Sequence, residues 1–381
     1  LDPDHRIIWA GHPDIRDVGG SPRKDPFVRR RHVGVRPEHG RDAAVEMPAK
    51  SHLLARRLRV EIHDDQRGSR EQRVQKVVRG TEGESFLYDA ASLQPLGRLP
   101  AETEPRWDAQ DPDLLYFTGE TRLMVHDLAT GQDTVVHDFA ADFPGQNLVT
   151  VWTRHEGRPT MDTRLWGMMA EDQDWLPSAF VVYDRIRDEV TVRDMRGVPG
   201  IEDDVDHVTI SPLGTYFLAS FDRECERVDD STGVGIGAAG DTHPCGLMVY
   251  DRDLSAGRSL LRTIGHYDTA LGAGGREVIV FQNIDTDEIA MLDLESGAIT
   301  SLWPIDFSHT PLGFHFSGLA YDRPGWALVS THDNATATYT WMDDQVFAVE
   351  LQPGGRIVRL AHTHSLVNDE EELDYWAEPH A

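Results

Sequence analysis

Four histidines recur at corresponding places along the chain, each close to the start of an alternating apolar run. They are His207, His266, His315 and His380. Because side chains alternate between the two faces of a strand, histidines at one strand position share one orientation. Neutral imidazoles that converge beside a carboxylate suit a divalent transition metal, and an imidazole can also act as a general base. The sequence therefore predicts a histidine cluster, provided that the fold brings these four places together.

The elements that would position the histidines are repeated hairpins. From residue 84 onward, six hairpins each combine an apolar strand ending near an acidic residue, a turn rich in Gly, Asp and Ser, and a second strand. The acidic residues of the six hairpins are Asp89, Asp127, Asp184, Asp251, Asp293 and Glu350. A second pair of strands separates successive hairpins. A unit of four strands, made of two successive pairs and repeated about every 40–60 residues, is typical of a β-propeller blade. A β-sandwich would not repeat one hairpin pattern six times.

The repeat predicts an all-β propeller of the seven-bladed type with an incomplete closing blade. Residues 84–99 supply the outer half of a first blade, and "YWAEPHA" begins a last one. Five full blades are expected at about 104–139, 148–194, 205–264, 265–303 and 313–361. In a propeller the first strand of each blade lines the central channel, so radial repetition would bring the histidines towards one axis.

The first 80 residues differ from the rest. They hold 18 Lys and Arg against 12 Asp and Glu and almost no period-2 alternation. We expect residues 1–80 to be an irregular or disordered segment, or else not to be the native start of this kind of chain, and residues 81–381 to form the propeller.

The charge of the remaining chain limits its partners. Residues 81–381 carry a net charge of −34 and no lysine, so they repel nucleic acid and anionic membranes. No apolar run reaches the ~18 residues that a membrane helix needs. The acidity fits either a solubilising surface or adaptation to high salt. Nothing in the sequence directs export, so a cytoplasmic location is expected.

The chain has two cysteines, Cys225 and Cys245, which flank a Gly- and Asp-rich loop. They could close that loop as a disulfide. Two cysteines do not make a disulfide framework, so free thiols are the default expectation.

Two interpretations of the histidines remain open. In WD-repeat blades a Gly-His pair ties strands together, and Gly265-His266 is such a pair, although the partner Trp-Asp dipeptide is absent. Alternatively, the histidines form a functional cluster at the channel mouth. Glu378 and His380 share a strand face, and His315 could complete a three-ligand metal site with an open position. His266 would then serve as a base.

Several short sequence segments resemble those of a known family. "DHVTISPLGTYFLAS", "GHYDTA", "GFHFSG" and "AEPHA" are similar to phrases of the oligogalacturonate lyase-type propellers, which are related to TolB-like repeats. The resemblance covers roughly residues 84–381. It implies seven blades, one manganese ion held at the channel by histidines and a glutamine, and a histidine base for β-elimination.

The resemblance also implies roles for single residues. His266 falls at the base position, and His315 and His380 fall at metal-ligand positions. Glu378 stands where the family has another histidine, and Tyr375 lies near the place of the glutamine. The implied function is a metal-dependent lyase that cleaves oligogalacturonate or related uronates.

β-Elimination places further demands on the site. Removing the proton next to a uronate carboxylate builds up negative charge, which a metal and an arginine can stabilise. Arg223 is the first candidate for that arginine. The residues expected to contact a small saccharide or uronate are His207, Trp107, Arg106 and Arg164. The competing hypothesis is a non-catalytic propeller that serves as a binding scaffold and uses its histidines as strand ties.

Overall fold

The structure is a computed structural model that describes residues 75–363 apart from short gaps. The gaps are 80–84, 90–91, 93, 102, 104, 154–156, 200, 202–204, 230–231, 238–239, 241–243, 306–311 and 334–339. Residues 1–74 and 364–381 therefore lie outside the described residues. They include most of the segment that was expected to be irregular, as well as Tyr375, Glu378 and His380.

Within these residues the chain forms antiparallel sheets that follow one another in sequence order. Sheet 1 has three strands, β1 (Gln75–Arg79), β2 (Ser85–Asp89) and β3 (Pro95–Leu99). Sheet 2 has four, β4 (Arg106–Trp107), β5 (Leu114–Gly119), β6 (Arg122–Asp127) and β7 (Gln132–Asp138). Sheet 3 consists of β8 (Leu148–Trp152), β9 (Leu165–Asp172), β10 (Pro177–Asp184) and β11 (Glu189–Asp194).

The next sheets repeat the pattern. Sheet 4 consists of β12 (Val205–Ile210), β13 (Tyr216–Phe221), β16 (Leu247–Asp251) and β17 (Gly257–Leu261). A hairpin of β14 (Arg227–Asp229) and β15 (Val234–Ile236) is inserted after β13. Sheet 5 consists of β18 (Tyr267–Leu271), β19 (Glu277–Asn283), β20 (Glu288–Asp293) and β21 (Ile299–Pro304). Sheet 6 consists of β22 (Leu312–Ser317), β23 (Trp326–Asp333), β24 (Gln345–Glu350) and β25 (Ile357–His362).

These sheets correspond closely to the blades that the repeat predicts. Each of the five expected full blades coincides with a four-stranded sheet to within a few residues. Strand β1 begins at Gln75, so the segment that was expected to be irregular contributes one strand to sheet 1.

The hydrophobic core is divided among the interfaces between consecutive sheets. Phe180 of sheet 3 packs on Phe217 of sheet 4 with ring centroids 5.1 Å apart, and separate clusters lie between the other neighbouring pairs of sheets. A two-layer sandwich would have one core between two sheets. Consecutive sheets that pack face to face in sequence order define a fan, so the predicted all-β propeller fold is confirmed.

The acidic residue that marks several of the hairpins has a local structural role. Asp127 accepts hydrogen bonds from the backbone N–H groups of Ala129 and Thr130, at 2.8 and 3.1 Å. Asp184 and Asp293 bind backbone N–H groups of their own turns in the same way. A short carboxylate that satisfies turn N–H groups favours the turn, which explains why the acid recurs at this place.

The innermost strands are joined by buried polar contacts near the axis. Arg106 of sheet 2 donates from Nε to the carbonyl oxygen of Gly157, at 3.1 Å. The neighbouring backbone N–H of Arg158 donates to Thr209 Oγ1 of sheet 4, at 3.0 Å. A Cβ atom on Gly157 would lie 2.1 Å from the carbonyl oxygen of Val208, so only glycine allows this approach. The contacts fix the relative positions of sheets 2, 3 and 4.

Cys225 and Cys245 form a disulfide bond, so the expectation of free thiols was wrong. Cys225 follows β13 and Cys245 precedes β16, and these two strands are hydrogen-bonded neighbours in sheet 4. The pairing brings the two Cα atoms within 5.3 Å, which the sequence separation of 20 residues does not reveal. Gly235 of the inserted hairpin packs directly on the two sulfur atoms.

The described residues contain no helix that is both long and apolar enough to cross a membrane.

Replacing Phe180 with Ala is expected to reduce the free energy of unfolding by about 3–5 kcal/mol, because its fully buried ring fills the interface between sheets 3 and 4. Chemical denaturation measures this change. The matched control is Val192→Ala on β11, where the side chain is 42% exposed and the expected change is within about 0.5 kcal/mol. Equal effects of the two substitutions would contradict a core that lies between these sheets.

Removing the disulfide by replacing Cys225 and Cys245 with Ser is expected to destabilise the protein by about 2–4 kcal/mol, since the bond restricts the unfolded chain. Denaturation of the parent protein with and without a reductant provides the measurement. The double variant serves as its own control because a reductant should not affect it. A parent protein whose unfolding ignores the reductant would rule out the bond.

Candidate functional site

The three predicted histidines within the described residues, His207, His266 and His315, lie towards one end of the sheets, which we call the upper end. It is the end at which the first strands β4, β8, β12, β18 and β22 begin. Antiparallel pairing places the ends of the second strands there as well. His207 is the third residue of β12, His266 directly precedes β18, and His315 is the fourth residue of β22.

Two groups of ring contacts join sheets 4, 5 and 6 in pairs. His207 stacks on Tyr267, with ring centroids 4.6 Å apart and an interplanar angle of 27°. The ring of His266, the residue before Tyr267, meets His315 edge to face at 4.5 Å. His315 in turn lies 6.0 Å from His332. We call these five side chains the histidine row (His207, Tyr267, His266, His315 and His332). The rings of His266 and His315 meet directly, whereas His207 is linked to them only through Tyr267, the residue that follows His266.

His207 is also bonded within its own sheet. Its Nδ1 lies 3.1 Å from Ser220 Oγ on the neighbouring strand β13, and its backbone N–H donates to the same hydroxyl at 3.2 Å. Asp206 places a carboxylate oxygen 3.6 Å from that Nδ1. His207 therefore both ties two strands together and supports the ring of Tyr267 on the next sheet.

His332 was not found by sequence reasoning. It lies on β23 opposite Gly313 of β22, and a Cβ atom on Gly313 would be 2.1 Å from Cε1 of the imidazole. The ring therefore occupies the space that a side chain at position 313 would need. The available signal was the glycine two residues before His315. His315 and His332 are 4% and 5% exposed, whereas His266 is half-buried and so can be reached from the solvent.

A buried charge pair lies deeper in the channel than the histidine row. Arg158, from the segment between β8 and β9, places Nε 3.6 Å from Oδ2 of Asp268 on β18. The same oxygen accepts the backbone N–H of Gly318 from sheet 6, at 2.9 Å. Asp268 lies two residues after His266, on the same face of the strand. This channel pair links sheets 3, 5 and 6, and sequence reasoning missed it because the contact spans sheets.

Tyr321 lies close to this pair. Burial raises the pKa of its phenol, and the nearby charge of Asp268 raises that pKa further. The hydroxyl therefore stays neutral throughout the physiological pH range.

The predicted arginines occupy different places. Arg223 follows β13 and is half-buried at the upper end, where its carbonyl oxygen accepts the backbone N–H of Gly246 at 2.8 Å. Arg106 is buried and joins sheets 2 and 3, as described above. Arg164 directly precedes β9 and therefore lies at the opposite, lower end. There it forms a two-point ion pair with Asp184, at 3.0 and 2.5 Å.

The position of Arg164 separates it from the histidine row, so its expected contact with a ligand held by the histidines is corrected. Trp107 is half-buried, and its side chain packs against the apolar cluster between sheets 1 and 2, which contains Leu87, Leu99 and Leu115. Its contact with a ligand stays a prediction. The position of Arg164 was missed because period-2 alternation indicates which residues share a face of a strand but not at which end of the sheet they lie.

The described residues contain no group of three or more His, Cys, Asp or Glu side chains arranged to hold a metal ion. Two of the three expected ligands, Glu378 and His380, lie outside the described residues. The imidazoles of the histidine row are of the donor type that divalent transition metals bind.

Comparisons with known proteins identify structural likenesses only. No protein-family profile matches the sequence, and no curated protein matches it. An oligogalacturonate lyase in complex with manganese matches with 15% identity and a TM-score of 0.47, over 78% of this chain and 76% of that chain. An oligogalacturonate lyase from Vibrio parahaemolyticus matches with 11% identity and a TM-score of 0.47, over 79% and 78%.

TolB from Acinetobacter baumannii matches with 14% identity and a TM-score of 0.39, over 73% of this chain and 60% of that chain. These structures are of the two kinds that the sequence phrases resemble. All three TM-scores lie below 0.5, so the fold assignment rests on the sheets of this chain itself.

Replacing Asp184 with Asn is expected to destabilise the protein by about 1–2 kcal/mol near neutral pH, because the carboxylate pairs with Arg164 and supports its own turn. The hydrogen bond from Arg164 lowers the pKa of Asp184. An acid with a lowered pKa in the folded state contributes stability above its unfolded value of about 3.9 and loses it as the pH falls.

Denaturation of parent and variant between pH 7 and pH 3 measures this dependence. The difference between the two proteins is expected to be greatest at pH 6–7 and to shrink below about pH 4. A difference that stays constant across this range would contradict the role of the charge.

Proposed function

We propose that the upper end of the channel binds a divalent metal ion and a small uronate or saccharide, and that the protein is a lyase acting by β-elimination. One observation carries the proposal. His266 and His315 come from two different sheets, yet their rings meet at 4.5 Å. Two imidazoles in contact near the axis, one half-buried and one buried, fit a base that a ligand can reach beside a more protected group.

The proposed metal ligands are His315, Glu378 and His380. A divalent metal ion, manganese by the resemblance, would supply positive charge for the enediolate that forms when the proton is removed. Imidazole and carboxylate donors are compatible with such an ion.

The proposed roles of the other residues follow from their positions. His266 takes the proton next to the uronate carboxylate onto a ring nitrogen, and the electron pair left behind expels the leaving oxygen at the β position. Arg223, at the same end, offers positive charge to the carboxylate. The stacked rings of His207 and Tyr267 fill the interface between sheets 4 and 5 and so support the strand that follows His266.

The net negative charge of residues 81–381 repels an anionic ligand, so positive charge close to the ligand has to outweigh this repulsion. Two unit charges about 4 Å apart interact by roughly 1 kcal/mol in water, but by roughly 4 kcal/mol at an effective dielectric of 20. The channel mouth is partly shielded from water, and distant surface charges are screened by salt. A metal ion and a nearby arginine can therefore outweigh the acidic surface.

Metal analysis of the purified protein after dialysis against manganese tests the proposal. The parent protein is expected to retain about one ion per chain, and His315→Ala is expected to lose it. His266→Ala should retain the ion, while its rate of elimination from oligogalacturonate, followed by the ultraviolet absorbance of the unsaturated product, should fall by about 10²–10⁴-fold. Equal substoichiometric metal in the parent and His315→Ala would defeat the proposal.

A scaffold function is the second candidate, and the bonding of His207 to Ser220 within one sheet favours it. In that case His207→Ala and His315→Ala would each lower the free energy of unfolding, and neither substitution would change metal content.

A further inference from the structure

His137 bridges two sheets through both nitrogens of its ring. It is the last residue but one of β7 in sheet 2. Its Nε2 lies 2.7 Å from Oδ2 of Asp142, which follows the short 3₁₀ helix Phe139–Ala141. Its Nδ1 lies 2.8 Å from Oδ1 of Asp188, in the turn between β10 and β11 of sheet 3. One side chain therefore connects two consecutive sheets far from the histidine row.

The hydrogen-bond pattern requires a specific protonation state. An ionised carboxylate only accepts hydrogen bonds, so each ring nitrogen must carry a proton to be bonded to its aspartate. A neutral imidazole has one N–H and could donate to only one of them. The hydrogen bond from His137 lowers the pKa of Asp188, which keeps that carboxylate ionised. The two contacts thus describe an imidazolium between two carboxylates.

The surroundings hold the ring in this position. The imidazole lies 4.7 Å from the rings of both Phe139 and Tyr183, which themselves meet edge to face at 5.4 Å. The hydroxyl of Tyr183 donates to Asp188 at 3.1 Å, and burial raises the pKa of that hydroxyl. The side chain of His137 is 16% exposed, whereas those of Asp142 and Asp188 are 28% and 69% exposed, so the imidazole is shielded from water while its partners reach the surface.

Other charged groups near the ring are paired with one another. On sheet 2, Arg122 lies 3.5 Å from Asp138. In the turn of sheet 3, Arg187 lies 3.8 Å from Asp184 and 3.7 Å from Glu189. Arg185 reaches away from the turn to Asp108, at 3.4 Å. Asp142 and Asp188 are the carboxylates bonded to the imidazole.

We propose that His137 is a pH-sensitive latch between sheets 2 and 3. When the imidazole is protonated, it joins the segment after β7 to the turn between β10 and β11. When it loses a proton, one of the two aspartates loses its donor, and the two carboxylates are no longer separated by a positive charge. The interface is therefore tighter at mildly acidic pH and loosens as the pH rises.

The first test observes the latch directly in the full-length parent protein. Nuclear magnetic resonance of histidine side chains labelled with ¹⁵N reports whether one or both ring nitrogens carry a proton. We expect both nitrogens of His137 to be protonated at pH 5.5 and one at pH 8.5. A single protonated nitrogen at pH 5.5 would overturn the proposal, and no variant is needed for this result.

The second test measures how strongly the backbone amides of residues 139–142 and 185–188 are protected from hydrogen exchange. The measured rates are corrected for the pH dependence of exchange in an unfolded chain. Protection in the parent is expected to be about tenfold higher at pH 5.5 than at pH 8.5. His137→Gln cannot be charged, so it should abolish this difference. The matched control is His126→Gln, because His126 binds one carboxylate, Asp133, within the same sheet. Unchanged pH dependence in His137→Gln would refute the latch.

Discussion

The close approach of backbones around the axis is the constraint on which the upper end of the molecule depends. A Cβ atom on Gly318 would lie 1.9 Å from the carbonyl oxygen of Thr269, and one on Gly157 would lie 2.1 Å from the carbonyl oxygen of Val208. At such distances every buried polar group needs a partner, since an unsatisfied one costs about 1–3 kcal/mol. Arg106 and Asp268 provide partners across sheets. The rings of the histidine row can meet only because the strands that carry them are held this closely.

The acidic composition has a structural component as well as an electrostatic one. Asp127, Asp184 and Asp293 each satisfy backbone N–H groups in the turn of a hairpin. A repeated fold with such an aspartate in several of its hairpins accumulates negative charge for reasons of turn geometry. The charge of the body therefore reflects partly how its turns are built, and it need not describe the ligand that the channel binds.

Much of the fold could be predicted from the sequence because its signals are local. Period-2 alternation and turn residues located the strands of sheets 2–6, and the spacing of His266 and His315 placed both at the channel. Contacts between different sheets could not be predicted from these local signals. His332, the pair of Arg158 and Asp268, and the bridge made by His137 all depend on neighbours that are distant in the chain. The disulfide is of the same kind, because it joins two residues that are 20 positions apart in the sequence.

The division of the hydrophobic core among several interfaces affects how the molecule unfolds. Each interface between sheets has its own set of buried side chains, so a defect in one weakens two neighbouring sheets and leaves the others packed. Opening then starts at the interface with the least buried apolar surface and does not involve the whole chain at once.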